Sequence, residues 1–220
     1  MNSVEKIAEI KKSLAGSVKL VAVTKSVSPE IITGVYDAGY KIFGENKVQE
    51  LVGKYQQLPK DIEWHFIGHL QRNKVKLLAP FVSMIHGVDS FRVLKTINNE
   101  ALKNNRIIPC LLQFHIADEA TKFGFSEEEA YEMLDSSEFK ELKNITISGV
   151  MGMATFTEDK GQVRDEFRML KRIFDTLKKD YFKKHKGFRE ISMGMSDDYK
   201  IALEEGSTIV RIGSIIFGAR

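Results

Sequence analysis

Along this chain, short runs of apolar and β-branched residues alternate with longer stretches whose apolar positions fall three and four apart. That rhythm predicts strands alternating with amphipathic helices around a parallel sheet. The runs that read as strands are VKLVAVTK, YKIFG, EWHFIG, FVSMIHGV, IIPCLLQFHI, ITISGVMGM, FREISMGM and TIVRIG. The plainest helix is residues 161–184, where Val163, Phe167, Leu170, Phe174, Leu177 and Tyr181 step along one face and basic residues cover the other. A further helix, residues 3–14, precedes the first strand. No Gly/Ser-rich linker or low-complexity tract breaks the rhythm, so residues 1–220 are expected to form a single domain. Eight strands, each followed by a helix, predict a closed (β/α)8 TIM barrel of the α/β class with an extra N-terminal helix, in preference to an open doubly wound sheet.

Composition narrows the partners. With 33 basic and 30 acidic residues the net charge is only +3, so nothing calls for nucleic acid or an anionic membrane, while a small anionic ligand fits. The basic strip KKDYFKKHK at 178–186 reads as the solvated face of the long helix. Cys110 is the only cysteine and lies inside IIPCLLQF, which excludes a disulfide within the chain and fits a reducing compartment. No apolar run reaches the length of a membrane span, and the opening MNSVEKIAEIKKSLAG alternates charge with apolar residues, unlike a signal peptide. A cytoplasmic location is expected.

In a (β/α)8 barrel chemistry gathers where strands end. Those positions are Lys25, GEN at 44–46, GHLQRNK at 68–74, HGVD at 86–89, HIADEATKFG at 115–124, MGMAT at 151–155, MGMSDD at 193–198 and RIGS at 211–214. Taken alone, a lysine after a strand ordinarily extends its ammonium to water. At the end of strand one of a barrel it points instead into the mouth. In SMGMSDDYKIALEEG, Ser196 is placed as the N-cap of a helix, with Asp197 and Asp198 in its first turn. In VRIGSIIFG, Gly213 allows the backbone close to a ligand and Ser214 adds an N–H and a hydroxyl. Glycines and serines often merely shape turns, but the loops after strands seven and eight are the usual phosphate cradle of this fold.

A lysine and a phosphate cradle on one mouth fit a ligand carrying an aldehyde and a phosphate, of which pyridoxal 5′-phosphate is an example. Among apolar walls and near Arg211, the Lys25 amine would be freed for Schiff-base formation. Arg211, always charged, would face the pyridine nitrogen and keep it unprotonated, weakening the electron sink that most pyridoxal enzymes use.

At these residues the chain resembles the pyridoxal phosphate homeostasis protein family, whose barrel is similar to the N-terminal barrel of alanine racemases. The resemblance runs from about Val18 to the closing FGAR and rests on VAVTK, FGENKVQE, WHFIGHLQRNK, SMGMSDD and VRIGSIIFGAR. It implies that Lys25 carries the cofactor, that Asn46 lies near its ring, that Arg211 faces the pyridine nitrogen, and that Ser196, Gly213 and Ser214 hold the phosphate. It also implies a role in vitamin B6 homeostasis, holding or delivering the cofactor to apo-enzymes without turnover, as a monomer. His69 stands where the family commonly has proline, and Ser214 where threonine is common. Pro29 stands where a racemase places a phosphate-binding tyrosine, and the second racemase domain has no counterpart. An amino-acid racemase and a Schiff-base aldolase acting on a sugar phosphate are the competing readings. The five histidines, His65, His69, His86, His115 and His185, lack metal-ligand spacing within one element and most read as structural, so no metal is expected. Lys122 is read as a solvated loop lysine.

Overall fold

The computed structural model describes residues 1–14, 16–118 and 123–218, which leaves Lys122 outside the described residues. The strands are β1 (Lys19–Val23), β2 (Ile42–Glu45), β3 (Glu63–Phe66), β4 (Met84–Val88), β5 (Ile108–Gln113), β6 (Ile145–Met151), β7 (Glu190–Ser192) and β8 (Ile209–Ile212). Each pairs in parallel with the next, and β1 returns to β8 through Lys19 opposite Ile209 and Ala22 opposite Ile212, closing the barrel. The helices are α1 (Ser3–Ser13), α2 (Pro29–Asp37), α3 (Val48–Gln57), α4 (Val75–Leu78), α5 (Phe91–Lys103), α6 (Glu127–Asp135), α7 (Ser137–Lys140), α8 (Lys160–Asp180), α9 (Tyr199–Glu204) and α10 (Ser214–Phe217). The expected TIM barrel with its N-terminal helix is the observed fold.

The strands are nearly continuous in hydrophobicity because both faces are covered. One face joins the large core against the helices, with Trp64, Phe43, Phe66 and Leu94 fully buried. The other faces the barrel axis, where Val21, Met84, Leu111, Met151 and Ile209 form a small separate cluster. Side chains alternate along a strand, so stepping two residues from that inner cluster gives the positions that reach the mouth. Val21 leads to Val23 and then Lys25. Ile209 leads to Arg211 and then Gly213.

Helix ends follow local chemistry. Asn2 and Glu5 form a capping box at α1, as Ser126 and Glu129 do at α6. Asp159 caps α8 by accepting from Gly161 N and Gln162 N at 2.9 and 3.1 Å. α8 stops at Asp180, four residues short of the expected 184. Past it the chain winds through turns that bring Phe182 and Phe188 into a parallel stack, centroids 4.3 Å apart, beside Phe174. Burying two phenyl rings outweighs continuing an exposed basic helix.

Candidate functional site

Strand β1 is followed at once by a tight turn. Thr24 is buried, and its N–H donates to Gly44 O at 2.9 Å. Ser26 lies in the left-handed region at φ 59°, and Pro29 opens α2. Between them Lys25 is swung over the barrel mouth. There it lines a cavity of about 500 Å³ together with Asn46, Ser196, Arg211, Gly213 and Ser214. All six candidate residues, drawn from four strand-end segments, therefore meet on one surface.

One expectation is corrected at Lys25. The residue is exposed, so the structure does not supply the desolvated pocket of apolar walls anticipated for it. The cause is the open rim: Phe156 is 88% exposed and Phe123 is 55% exposed. The cavity itself does have apolar lining, at Val23, Ile67, Phe123, Met153 and Phe156.

Arg211 is the opposite case. It is 3% exposed, its Nη1 donates to Ser192 Oγ at 2.6 Å, and its Nη2 donates to Gly152 O at 3.1 Å. Burial lowers its pKa to about 10, against the raising influence of Asp198, so it stays cationic at neutral pH. Behind it a polar chain runs down the barrel axis. Ser192 Oγ contacts His86 Nδ1 at 2.9 Å, and His86 Nε2 contacts His65 Nδ1 at 2.9 Å. Arginine can only donate, so a hydroxyl that accepts from Arg211 and donates to His86 lets His86 donate onward to His65. That arrangement needs both imidazoles neutral. Burial, with a smaller contribution from Lys19, holds His65 down to about 3, and burial likewise holds His86 well below its ordinary value.

Two further expectations change at the phosphate cradle. Ser196 is not a helix N-cap, because α9 begins only at Tyr199 and Asp198 occupies the cap position. Nor do the two aspartates sit in its first turn. Asp198 instead folds back to accept from Met195 N at 2.5 Å, after Gly194 turns the chain at φ 95° with Ala202 and Tyr199 packed against it. Ser196 still reaches the cavity. At Gly213 the constraint is also different. A Cβ there would lie 3.2 Å from Val23 O, so the glycine permits the close approach of β8 to the end of β1. It is the cap residue of α10, whose first N–H groups have no acceptor within the helix.

The cavity also includes residues to which the sequence reading gave no role. Gln113 ends β5 and donates to Phe123 O at 3.1 Å. His69 lines the rim, with Nδ1 2.6 Å from Asp89 Oδ2 and its ring stacked on Phe123 at 3.9 Å. Met153 and Phe156 complete the rim. Glycine at position 68 lets the β3 loop cross β2's end, since a Cβ there would fall 2.3 Å from Asn46 O. Among the described residues no group of three or more His, Cys, Asp or Glu is arranged to hold a metal ion. None of their helices is long and apolar enough to cross a membrane.

A closed barrel of eight parallel strands has the architecture of the barrel domain of alanine racemases. The family model "Alanine racemase, N-terminal domain" matches residues 4–220. Within that class the chain belongs to the pyridoxal phosphate homeostasis proteins. It is 40% identical to the pyridoxal phosphate homeostasis protein of Aquifex aeolicus over 203 residues, 92% of this chain and 87% of that one. To the Synechocystis protein of the same name it is 34% identical over 215 residues, 97% and 96% of the two chains. Among solved structures it is similar to PipY of Synechococcus elongatus with PLP bound, at a TM-score of 0.89 and 30% identity over 99% of this chain and all of that one. Alanine racemase from Bartonella henselae shares the fold, with a TM-score of 0.73 at 14% identity; 98% of this chain matches 60% of that one.

Proposed function

We propose that this protein binds pyridoxal 5′-phosphate in the cavity at the mouth of the barrel and serves vitamin B6 homeostasis, holding the cofactor or passing it to apo-enzymes without turnover of its own. The observation that carries this reading is the convergence of Lys25, Asn46, Ser196, Arg211, Gly213 and Ser214 on one cavity. Its volume of about 500 Å³ lies in the range usual for small-molecule sites, roughly 300–1,000 Å³. Membership of a family whose members are named for pyridoxal phosphate homeostasis supports it, as does the similarity to PipY with PLP bound.

Each part has a distinct task. The Lys25 amine condenses with an aldehyde, forming C=N and releasing water. Arg211 donates a hydrogen bond to the ring nitrogen; being fixed by Ser192 and Gly152 O and lacking any acceptor, it favours that nitrogen unprotonated. The Ser196 and Ser214 hydroxyls and the first N–H groups of α10 meet the phosphate. Asn46, exposed at the end of β2, borders the ring.

Purified protein given pyridoxal 5′-phosphate is expected to turn yellow, to be fixed by borohydride at Lys25 alone, and to lose the visible band in Lys25→Ala while staying folded. An adduct mapped to another lysine, with Lys122 as the natural rival, would overturn the assignment. A colourless protein that still forms Schiff bases with sugar phosphates would point to the aldolase instead.

A further inference from the structure

The two peptide groups that flank Lys25 are both gripped by helix α3, through residues for which the cofactor reading has no use. Lys54 Nζ donates to Thr24 O at 2.7 Å and to Glu45 Oε1 at 2.6 Å. Glu50, one turn earlier, accepts from Ser26 N at 2.8 Å and lies 3.8 Å from Lys54 Nζ. Thr24 Oγ1 donates to Glu45 Oε1 at 2.6 Å. The cluster is deeply set, with Lys54 5% exposed and Glu45 fully buried. Among the described residues Glu45 Oε2 finds no hydrogen-bond partner.

Such a cluster is a poor way to gain stability. Taking an ammonium and a carboxylate out of water costs about as much as their attraction returns, and an apolar pair of the same volume would commonly serve as well. Its geometry serves something else. The carbonyl before Lys25 and the N–H after it are each held by a charged side chain, and Ser26 is held left-handed, a conformation that a residue with a Cβ adopts only under constraint. The peptide groups on either side of Lys25 set where its side chain starts, so fixing both fixes the direction from which the amine approaches the cavity.

We propose that Lys54, Glu45 and Glu50 are positioning residues that aim the Lys25 amine at the aldehyde of the bound cofactor, raising the equilibrium for imine formation without touching the ligand. This rests on the reading of Lys25 as the Schiff-base lysine. A group that only aims the amine affects ligands that have an aldehyde and spares those that lack one, whereas a group that only stabilises the fold affects both alike.

The test therefore compares pyridoxal 5′-phosphate with pyridoxine 5′-phosphate, which keeps the ring and phosphate but has an alcohol in place of the aldehyde. The quantity read is the ratio of their dissociation constants, with borohydride labelling of Lys25 alongside. The main variant is Lys54→Met combined with Glu45→Gln, so that no charge is left buried alone. The expected result is a loss of about tenfold in the preference for the aldehyde, the order expected when a charge-assisted hydrogen bond is removed, with pyridoxine 5′-phosphate bound as before. An unchanged ratio, or equal weakening of both ligands, would overturn the proposal. Should that variant fail to fold, Glu50→Ala decides, since it leaves the buried pair intact and releases only Ser26 N. Its expected loss is smaller, about threefold, and an unchanged ratio there would likewise reject the clamp. If the unaltered protein shows no preference for the aldehyde and no label at Lys25, the Lys25 reading itself fails before any variant is made.

Discussion

In the proposed cradle Ser196, half-buried, and Ser214, exposed, would meet the phosphate through their hydroxyls, and Asp197 stands on the same cavity wall with a charge of the wrong sign. A charge-assisted hydrogen bond is worth about 1.5–3 kcal/mol when sheltered and less at an open rim, so each serine should contribute at the low end or below. Ser196→Ala and Ser214→Ala are each expected to weaken pyridoxal 5′-phosphate about three- to tenfold while leaving unphosphorylated pyridoxal nearly unaffected. Asp197→Asn should act oppositely and tighten only the phosphorylated form. Spectroscopic titration of both ligands reads all three effects, and equal changes for the two ligands would remove these residues from the cradle. Gly213→Val is a poor probe, because its side chain would collide with Val23 O and disturb both ligands through the barrel itself.

At the scale of the elements, the inner chain that joins β3, β4, β7 and β8 makes stability depend on pH. His65 titrates at about 3 in the folded protein against an ordinary 6.5, and His86 is shifted in the same direction. Between those limits the unfolded chain binds protons that the folded chain refuses, so stability falls as pH falls from about 6.5 towards 3, by up to about 2.7 kcal/mol per pH unit when both histidines count fully. Glu45, raised chiefly by burial, works the other way: between its ordinary 4.5 and its folded value the native state holds more protons, which offsets part of the acid loss. Urea unfolding at pH 7.5 and 5.0 should show the drop, and His65→Leu should reduce it by about half, removing one of the two refused protons. An unchanged drop in that variant would mean the acid sensitivity lies elsewhere.

The same elements mark how far the sequence could be read. Strand alternation is local, so eight apolar runs sufficed to predict the barrel, and the residues ending them gave Lys25 and Arg211 directly. The chain behind Arg211 was not legible, because Ser192 and His86 stand 106 positions apart and meet only across the closed barrel. Lys54 was hidden for a related reason: on its helix it reads as one more cation four residues from an acid, and only the packing of α3 behind β1 and β2 buries it. Ser196 was misplaced as a cap since SDD offers several capping side chains in a row, and the turn at Gly194 selects Asp198.

For the molecule as a whole, the question is what a cofactor held in this mouth can catalyse. Reversing an amino acid's configuration needs a proton removed on one face of the α-carbon and another delivered to the opposite face. As the proposed Schiff-base lysine, Lys25 would serve one face. The racemases that this barrel resembles use a tyrosine for the other, and among the described residues that line the cavity none is a tyrosine; Tyr199, the nearest in sequence to a strand-end loop, packs against the main core. His69 is committed through Nδ1 to Asp89 and stacked on Phe123 at the rim. In the proposed pose Arg211 would add a second obstacle by favouring an unprotonated ring nitrogen, which withdraws electrons weakly from a developing carbanion. A missing acid/base group costs typically about 10² to 10⁴-fold, so the remaining chemistry is slow exchange of the α-proton by Lys25. Loaded protein given L-alanine in deuterated buffer is therefore expected to show no racemisation on the scale usual for enzymes, roughly 1 to 10³ per second, with any trace of deuterium entering the L-isomer first. Chiral chromatography with mass detection distinguishes the outcomes. Sustained formation of the D-isomer that disappears in Lys25→Ala would make the protein a racemase, and His69→Phe would then show whether the rim histidine supplies the second face.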